Sequence, residues 1–387
     1  MRITWVTRSF LDYRIPVFAE LDRLCGHELT VVFYRDIVPE RCIAKLREAI
    51  GDRAVGLTGE LRLSGKKNAP LVSVKRRGIR IPWQPGLLKT CRASRPEVLI
   101  SDGFFQWTYA ALLLRIFCRI PHVMCYEPTA HTERHAGRLR TWYRRIASHA
   151  IDAICCNGSL CRDYTMSLGI PAGKISVGNM AADTENLSAR CLEVSEAQKE
   201  ELRRKSPLAG VVFLYVGRLV PLKGLMELLE AWRRKQLSAT LLLVGGGPER
   251  ERLEAYCKEH GLKNIVFAGE QDYDVLPVFY ASADVFIIPT LQDNWSLVVP
   301  EAMACGLPVA CSIYNGCHPE LVHPENGWTF DPLNTEETAA MLDEIVKRKD
   351  RLKEMGAASR EIVRDHTPAK AAENIFNTCR KVEQQEK

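Results

Sequence analysis

The chain has 387 residues, 46% hydrophobic and 26% charged, with a formal net charge of +6. That is enough for two domains of ordinary globular type, and it excludes a mainly disordered or fibrous chain. The longest strongly apolar stretch, Tyr109 to Phe117, is broken by Arg115 and falls well short of the ~20 residues that cross a bilayer, so no transmembrane helix is expected.

The chain opens with MRITWVTRSFLDYR, which has charges at Arg2 and Arg8 and no apolar run followed by small residues. This argues against a cleaved signal peptide and for a cytoplasmic protein. The 14 cysteines include no C-x-x-C pair, and Cys155, Cys156 and Cys311 lie in strand-like apolar runs, so reduced thiols are expected. Apolar runs of strand length alternate with helix-length amphipathic stretches, the pattern of parallel α/β layers. Strands are expected at RITWVTR, LTVVFY, EVLISD, PHVMCYE, DAICCN and KISVG in the first half. In the second half they fall at VVFLYVG, ATLLLVGG, NIVFAG, DVFIIPT and PVACSI. The charged stretch from Asp183 to Gly210 is expected to join two domains, giving an N-terminal domain over 1–185, a linker over 186–209 and a C-terminal domain over 210–366. Residues 367–387 read as a helix that needs a surface to dock on, the N-terminal domain being one. Two doubly wound, Rossmann-like domains in tandem place the carboxyl ends of both sheets at a shared cleft, where ligands bind.

In the first half, the strand PHVMCYE ends at Tyr126 and Glu127. His131 and His135 would chelate a metal only if helical. The H-E-x-x-H order and a third ligand are missing, so no metal is expected there. From Arg138 to Ala150 the apolar Leu139, Trp142, Tyr143, Ile146 and Ala150 recur at helical spacing among Arg138, Arg140, Arg144 and Arg145. Two readings stay open: a core-packed helix with a solvated basic face, or attachment to an anionic membrane surface. Lys75, Arg76, Arg77, Arg80 and Trp83 would extend such a patch.

In the second half, VVFLYVG runs into GRLVPLKG, placing Arg218 and Lys223 five residues apart between a strand and a helix. A planar guanidinium fork and a mobile ammonium together suit a diphosphate, although on spacing alone such residues are more often solvated surface charge. Neither a Walker A loop nor a G-x-G-x-x-G follows any strand, which disfavours a generic ATPase or a nicotinamide enzyme. Gly245, Gly246 and Gly247 read as a structural turn first and a phosphate or base contact second. Asp272 and Asp274 spell D-x-D at the start of an expected helix, where capping is the expected role. After DVFIIPT, a helix is expected from near Ser296, with Pro300 in its first turn. The N–H groups of Ser296 and Leu297 would then face a bound phosphate, with Asp293 before the helix and Glu301 inside it. A helix cap at Asp293 and a surface Glu301 are the alternatives.

The segments GRLVPLKG, LLVGGGPERERLE, VFAGE, FYASADVFIIPT, DNWSLVVPEAMACGLPV and NGCHPELVHPENGWTFDP occur in one order between Val211 and Pro332. Together they resemble the donor-binding domain of family 4 glycosyltransferases, retaining enzymes of the two-domain GT-B fold. The resemblance implies that Arg218 and Lys223 hold the diphosphate of a nucleotide-sugar, with Gly217, Ser296 and Leu297 beside it. The family's paired Glu, separated by seven residues, fall on Asp293 and Glu301, so Glu301 would take the ribose hydroxyls and Asp293 would sit beside the transferred sugar. Asp293 is one methylene shorter than the usual Glu, and Trp295 and Ser296 replace the more usual Phe-Gly. The N-terminal DYRIPVFAEL is similar to the start of bacterial polysaccharide-assembling members, which would turn Tyr13 and Arg14 to the cleft, but the glycine-rich loop of many relatives is missing. The resemblance also implies Glu127, at the carboxyl end of the strand PHVMCYE, as the candidate catalytic carboxylate, ahead of His131.

The implied function is retaining transfer of a sugar from a nucleotide-diphosphate donor to a hydroxyl of a glycan or lipid-linked acceptor, in lipopolysaccharide, capsule or exopolysaccharide synthesis. The implied location is the cytoplasm, with peripheral contact on the inner face of an anionic membrane. No obligate cofactor or metal is expected, and no nucleic acid, because the positive charge is split among helices. The alternatives are a nucleotide-sugar epimerase of the same architecture and an inactive partner in a glycan-assembly complex.

Overall fold

The computed structural model describes residues 1–62, 82–105, 107–235 and 237–386. The basic cluster Lys75, Arg76, Arg77 and Arg80 lies outside them. The first sheet is built from β1 (Ile3–Val6), β2 (Leu29–Tyr34) and β3 (Ala54–Leu57), followed after a short antiparallel pair, β4 (Leu61–Arg62) and β5 (Pro82–Trp83), by β6 (Val98–Asp102), β7 (His122–Tyr126), β8 (Ala153–Cys156) and β9 (Ile175–Val177). Its order is β3-β2-β1-β6-β7-β8-β9, parallel throughout. The second sheet comprises β10 (Val211–Val216), β11 (Ala239–Val244), β12 (Ile265–Gly269), β13 (Val285–Ile288), β14 (Val309–Ser312) and β15 (Gly327–Phe330). It is also parallel, in the order β12-β11-β10-β13-β14-β15. The chain thus folds as two Rossmann-like α/β domains, and every expected strand is present. Two edge strands, β3 and β15, were not anticipated. AVGL and GWTF each carry a glycine and only four residues, too little apolar run to stand out.

The central strands are buried on both faces because their sequences are near-continuous runs of Val, Ile, Leu and Phe. The order of each sheet reverses once, between β1 and β6 in the first and between β10 and β13 in the second. Loops leaving those four strands at their carboxyl ends open the two crevices of the molecule.

The stretch from Asp183 to Gly210 is largely helical. Helix Thr184–Leu192 and helix Glu196–Lys205, the latter started by a reciprocal Ser195–Gln198 capping box, both pack on helix Leu276–Ala281 of the second domain. The last helix, Pro368–Glu386, crosses back to lie along helix Ile15–Leu24 and buries Ala371, Ala372, Ile375, Cys379 and Val382 in the core of the first domain. All 14 cysteines are free thiols and most are buried.

Helix Arg138–Ala147 departs from the core-packed reading. Leu139, Trp142 and Ile146 are exposed, whereas Arg144 is buried. Helical spacing shows that two faces differ but not which one turns inward. Here Glu133 and Tyr164 supply partners for an inward arginine.

Candidate active site

The second domain's candidate loops begin where β10 ends. Gly217, at φ +153°, has no room for a side chain: a Cβ would stand 2.9 Å from the Tyr215 hydroxyl, and one on Gly245 would collide with the Gly217 carbonyl. The two glycine turns therefore pack backbone to backbone, which is what the Gly245–Gly247 run is for in this fold. Tyr215 OH donates to the Arg218 carbonyl at 2.9 Å, fixing the loop while leaving the Arg218 side chain exposed. That guanidinium makes no hydrogen bond or ion pair among the described residues. Lys223 ends the short turn Pro221–Lys223 just before helix Leu225–Trp232.

Lys223 Nζ meets Asp293 Oδ2 at 2.5 Å, linking the loops after β10 and β13. Asp293 Oδ2 also accepts from Ser296 Oγ at 2.6 Å, and Oδ1 from the Trp295 N–H at 3.2 Å. Burial by itself would raise the Asp293 carboxyl, but the Lys223 ammonium and these hydrogen bonds outweigh it and hold the group below its usual range. Asp293 is neither a helix cap nor surface charge. It bridges a loop that is also stapled to its neighbour, Asp293 N–H donating to the Tyr314 carbonyl and Gly316 N–H to the Asp293 carbonyl.

The helix after this loop runs from Val298 to Ala304, with Pro300 in its first turn, and starts later than the expected Ser296. Ser296 N–H is not free as anticipated, because it donates to Asn315 Oδ1 at 3.4 Å. The signal missed was Asn315, nineteen residues away and brought in by the loop after β14. Leu297 N–H makes no such bond among the described residues. Glu301 is buried, not on the surface, and Tyr280 OH donates to its Oε2 at 3.0 Å. Burial, reinforced by Asp183 and opposed by the Tyr280 hydrogen bond, pushes its pKa up to about 7.

The facing crevice lies at the first sheet's switch point, where Thr7, Ser9, Phe10, Tyr13, Arg14, Asp102 and Glu127 line a cavity of about 120 Å³. Tyr13 and Arg14 do reach it. Arg14 is buried, donates to the Asn179 carbonyl at 2.8 Å, and stands 3.8 Å from Asp102 and 3.9 Å from Glu127. Burial raises the carboxyls of both acids, with Arg14 opposing. Glu127 is raised further by Asp102 and by Asp293. The loops around the two crevices meet across the domains, where His131 Nε2 bonds the Leu291 carbonyl and Asn157 Nδ2 donates to the Asn294 carbonyl at 3.4 Å. Asp102 was not singled out from sequence. Its signal, an acid closing the strand VLISD, is the same one that picked out Glu127.

One edge of the cleft is tied across the domains. His131 Nε2 bonds the Leu291 carbonyl at 2.9 Å and its ring stacks on Tyr314 at 4.5 Å. Ser159 N–H donates to Glu320, and the Trp295 ring sits against Gly158, so the Trp in place of Phe meets the first domain. His131 is thus a strut, and residues 130–135 form turns, which leaves His135 off any shared helix face. Asp272 lends no side-chain cap to the turn Tyr273–Val275, contrary to expectation, because its backbone carbonyl alone takes the Val275 N–H. Asp274 pairs with Arg190 at 2.8 Å. Among the described residues no group of three or more His, Cys, Asp or Glu is placed to hold a metal ion.

Comparison with known proteins gives the family and the fold. The family model "Glycosyl transferases group 1" matches residues 198–362, and "Glycosyltransferase Family 4" matches residues 19–186. The two matches fall one on each domain, and the chain belongs to the family 4 glycosyltransferases, with the GT-B fold. It is 25% identical over 360 residues to the sulfoquinovosyl transferase SQD2 of Arabidopsis thaliana, covering 90% of this chain and 66% of that protein. It is 30% identical over 236 residues to a GDP-mannose-dependent alpha-(1-6)-phosphatidylinositol monomannoside mannosyltransferase of Mycobacterium tuberculosis, covering 58% of this chain and 60% of that one. The chain therefore spans about two thirds or less of the length of these curated relatives. Among solved structures, Anabaena Alr3699/HepE in complex with UDP superposes with a TM-score of 0.75 at 17% identity, over 98% of this chain and 100% of that one. The lipopolysaccharide outer core galactosyltransferase WaaB superposes with a TM-score of 0.68 at 16% identity, over 98% and 99%.

Proposed function

We propose that the protein transfers a sugar, with retention at the anomeric carbon, from a nucleotide-diphosphate donor to a hydroxyl of a glycan or lipid-linked acceptor in bacterial surface polysaccharide synthesis. The observation that carries the reading is the Lys223–Asp293 pair at the second sheet's switch point, with the exposed Arg218 on the same loop as Lys223, beside a first-domain crevice lined by Arg14, Asp102 and Glu127 whose following loop is bonded across the domains at His131–Leu291. HepE, whose structures contain UDP or UDP-glucose, shares the fold, and relatives named for glycan assembly include WaaB and a putative teichuronic acid glycosyltransferase of Bacillus subtilis.

The chemistry follows from the charges. A bond forms between the acceptor oxygen and the anomeric carbon as the bond from that carbon to the phosphate oxygen breaks, and the acceptor proton passes to the departing phosphate. The negative charge gathering on the diphosphate is met by Arg218, which faces the solvent without a competing carboxylate, and by Lys223, which Asp293 holds in place. The ionised Glu301 carboxylate accepts hydrogen bonds from ribose hydroxyls. Closure of the cleft excludes water, which otherwise competes as acceptor. No carboxylate is assigned as a covalent nucleophile.

The test is incubation of the protein with a panel of isotopically marked nucleotide-sugars. Transfer to added acceptor, or slow release of free sugar and nucleoside diphosphate, supports the reading. An isomerised donor supports an epimerase instead, and no turnover of any donor supports an inactive partner.

A further inference from the structure

Helix Arg138–Ala147 packs Ala147 and Tyr143 against the first domain's core but buries an arginine beside them and leaves its largest apolar side chains outside. Its inward side carries Arg144, 1% exposed, with its guanidinium 2.8 Å from Glu133, 2.6 Å from the Tyr164 hydroxyl and 5.4 Å from the centre of the Phe105 ring. Its outward side carries Leu139, Trp142 and Ile146, spaced i, i+3 and i+7 and 59%, 60% and 51% exposed. Helix Thr108–Cys118 ends beside it on Ile116 and Phe117, both more than half exposed. The two helices follow the adjacent parallel strands β6 and β7, and right-handed crossovers put them on the same face of the sheet. The turn Ser148–Ala150 touches helix Thr108–Cys118 and completes the surface.

Three arginines frame this apolar patch. Arg119, Arg138 and Arg145 are exposed, and none forms an ion pair with a carboxylate among the described residues. A second copy of the chain would bring arginine against arginine across a self-complementary contact. A bilayer with anionic headgroups complements both parts: tryptophan, phenylalanine and leucine side chains enter the headgroup and acyl boundary while arginines reach phosphates.

We propose that the outward face of helix Arg138–Ala147, with the end of helix Thr108–Cys118, docks the protein on an anionic phospholipid surface. The helix starts at the cleft, since the segment leading into it runs from Glu127 past His131, which is bonded to Leu291 of the other domain. Docking there brings the cleft to headgroup level. For a lipid-linked acceptor this purpose rests on the glycosyltransferase reading. The docking itself does not.

The experiment is co-flotation of the full chain with phosphatidylcholine vesicles made with or without phosphatidylglycerol. The wild type floats with the phosphatidylglycerol vesicles only, and less so as salt is raised. Trp142→Glu/Ile146→Glu abolishes flotation, and Arg138→Gln/Arg145→Gln weakens partitioning about 30-fold. All of these side chains lie outside the cleft, so each variant keeps the wild-type melting temperature and its thermal shift with nucleoside diphosphate. That shift reports the donor site separately. A wild type that stays off phosphatidylglycerol vesicles overturns the proposal, as do variants that float like the wild type. A dimer in solution that both double variants dissociate, with no vesicle binding, also overturns it and gives the face to a second copy.

Discussion

Lys223 Nζ and Asp293 Oδ2, 2.5 Å apart, join the two loops that leave β10 and β13 on either side of the second sheet's switch point. The pair is partly buried, so removing one member strands the other. Lys223→Met destabilises the fold by about 1–3 kcal/mol and lowers turnover by ~10²–10³. Adding Asp293→Asn recovers most of the stability and none of the turnover, as read by chemical denaturation and by donor hydrolysis on the same samples.

Arg218 is the contrasting case. Its exposed side chain has no partner to lose, so Arg218→Ala stays within about 0.5 kcal/mol of wild-type stability while turnover falls ~10²–10³. An Arg218→Ala variant that turns over normally removes this residue from the diphosphate site.

Glu301 gives the protein a pH signature. Its carboxyl is raised from an ordinary 4.5 to about 7, so between those values the folded state holds a proton that the unfolded chain releases. Its contribution to stability is complete below pH 4.5 and is lost as pH rises through 7, on the order of 3 kcal/mol in all. Glu301→Gln flattens the stability profile over that window and makes the protein more stable than wild type at pH 8. If the ionised carboxylate accepts the ribose hydroxyls, nucleotide affinity of the wild type rises with pH through about 7. In Glu301→Gln it is weak at every pH.

Arg14 holds the other wall. With its guanidinium gone, the partly exposed Asp102 and Glu127 lose the cation they share, and Arg14→Met costs about 1–3 kcal/mol. Adding Asp102→Asn returns part of that loss, which a double-mutant cycle in denaturant measures. A cycle with no coupling energy contradicts the Arg14–Asp102 arrangement.

Most of the architecture was legible because parallel strands buried on both faces leave uninterrupted apolar runs such as VVFLYV and ATLLLV. The proposed donor-side residues lie within two short motifs, which is why the sequence alone suggests them. What escaped depends on contacts distant in sequence. Asn315 reaches back to occupy the Ser296 N–H, Asp102 and Glu127 meet only through Arg14, and Arg144 turns inward because Glu133 and Tyr164 are there to receive it. The amphipathic period of Arg138–Ala147 was visible, but its inward face was not, since burial of an arginine depends on partners that periodicity does not contain.

The most direct test is the position of a bound diphosphate. Crystals soaked with whichever of UDP, GDP or ADP raises the melting temperature most will show the two phosphates between Arg218 and Lys223, with the ribose on Glu301. Pyrophosphate density elsewhere in the cleft, with those side chains empty, contradicts the account.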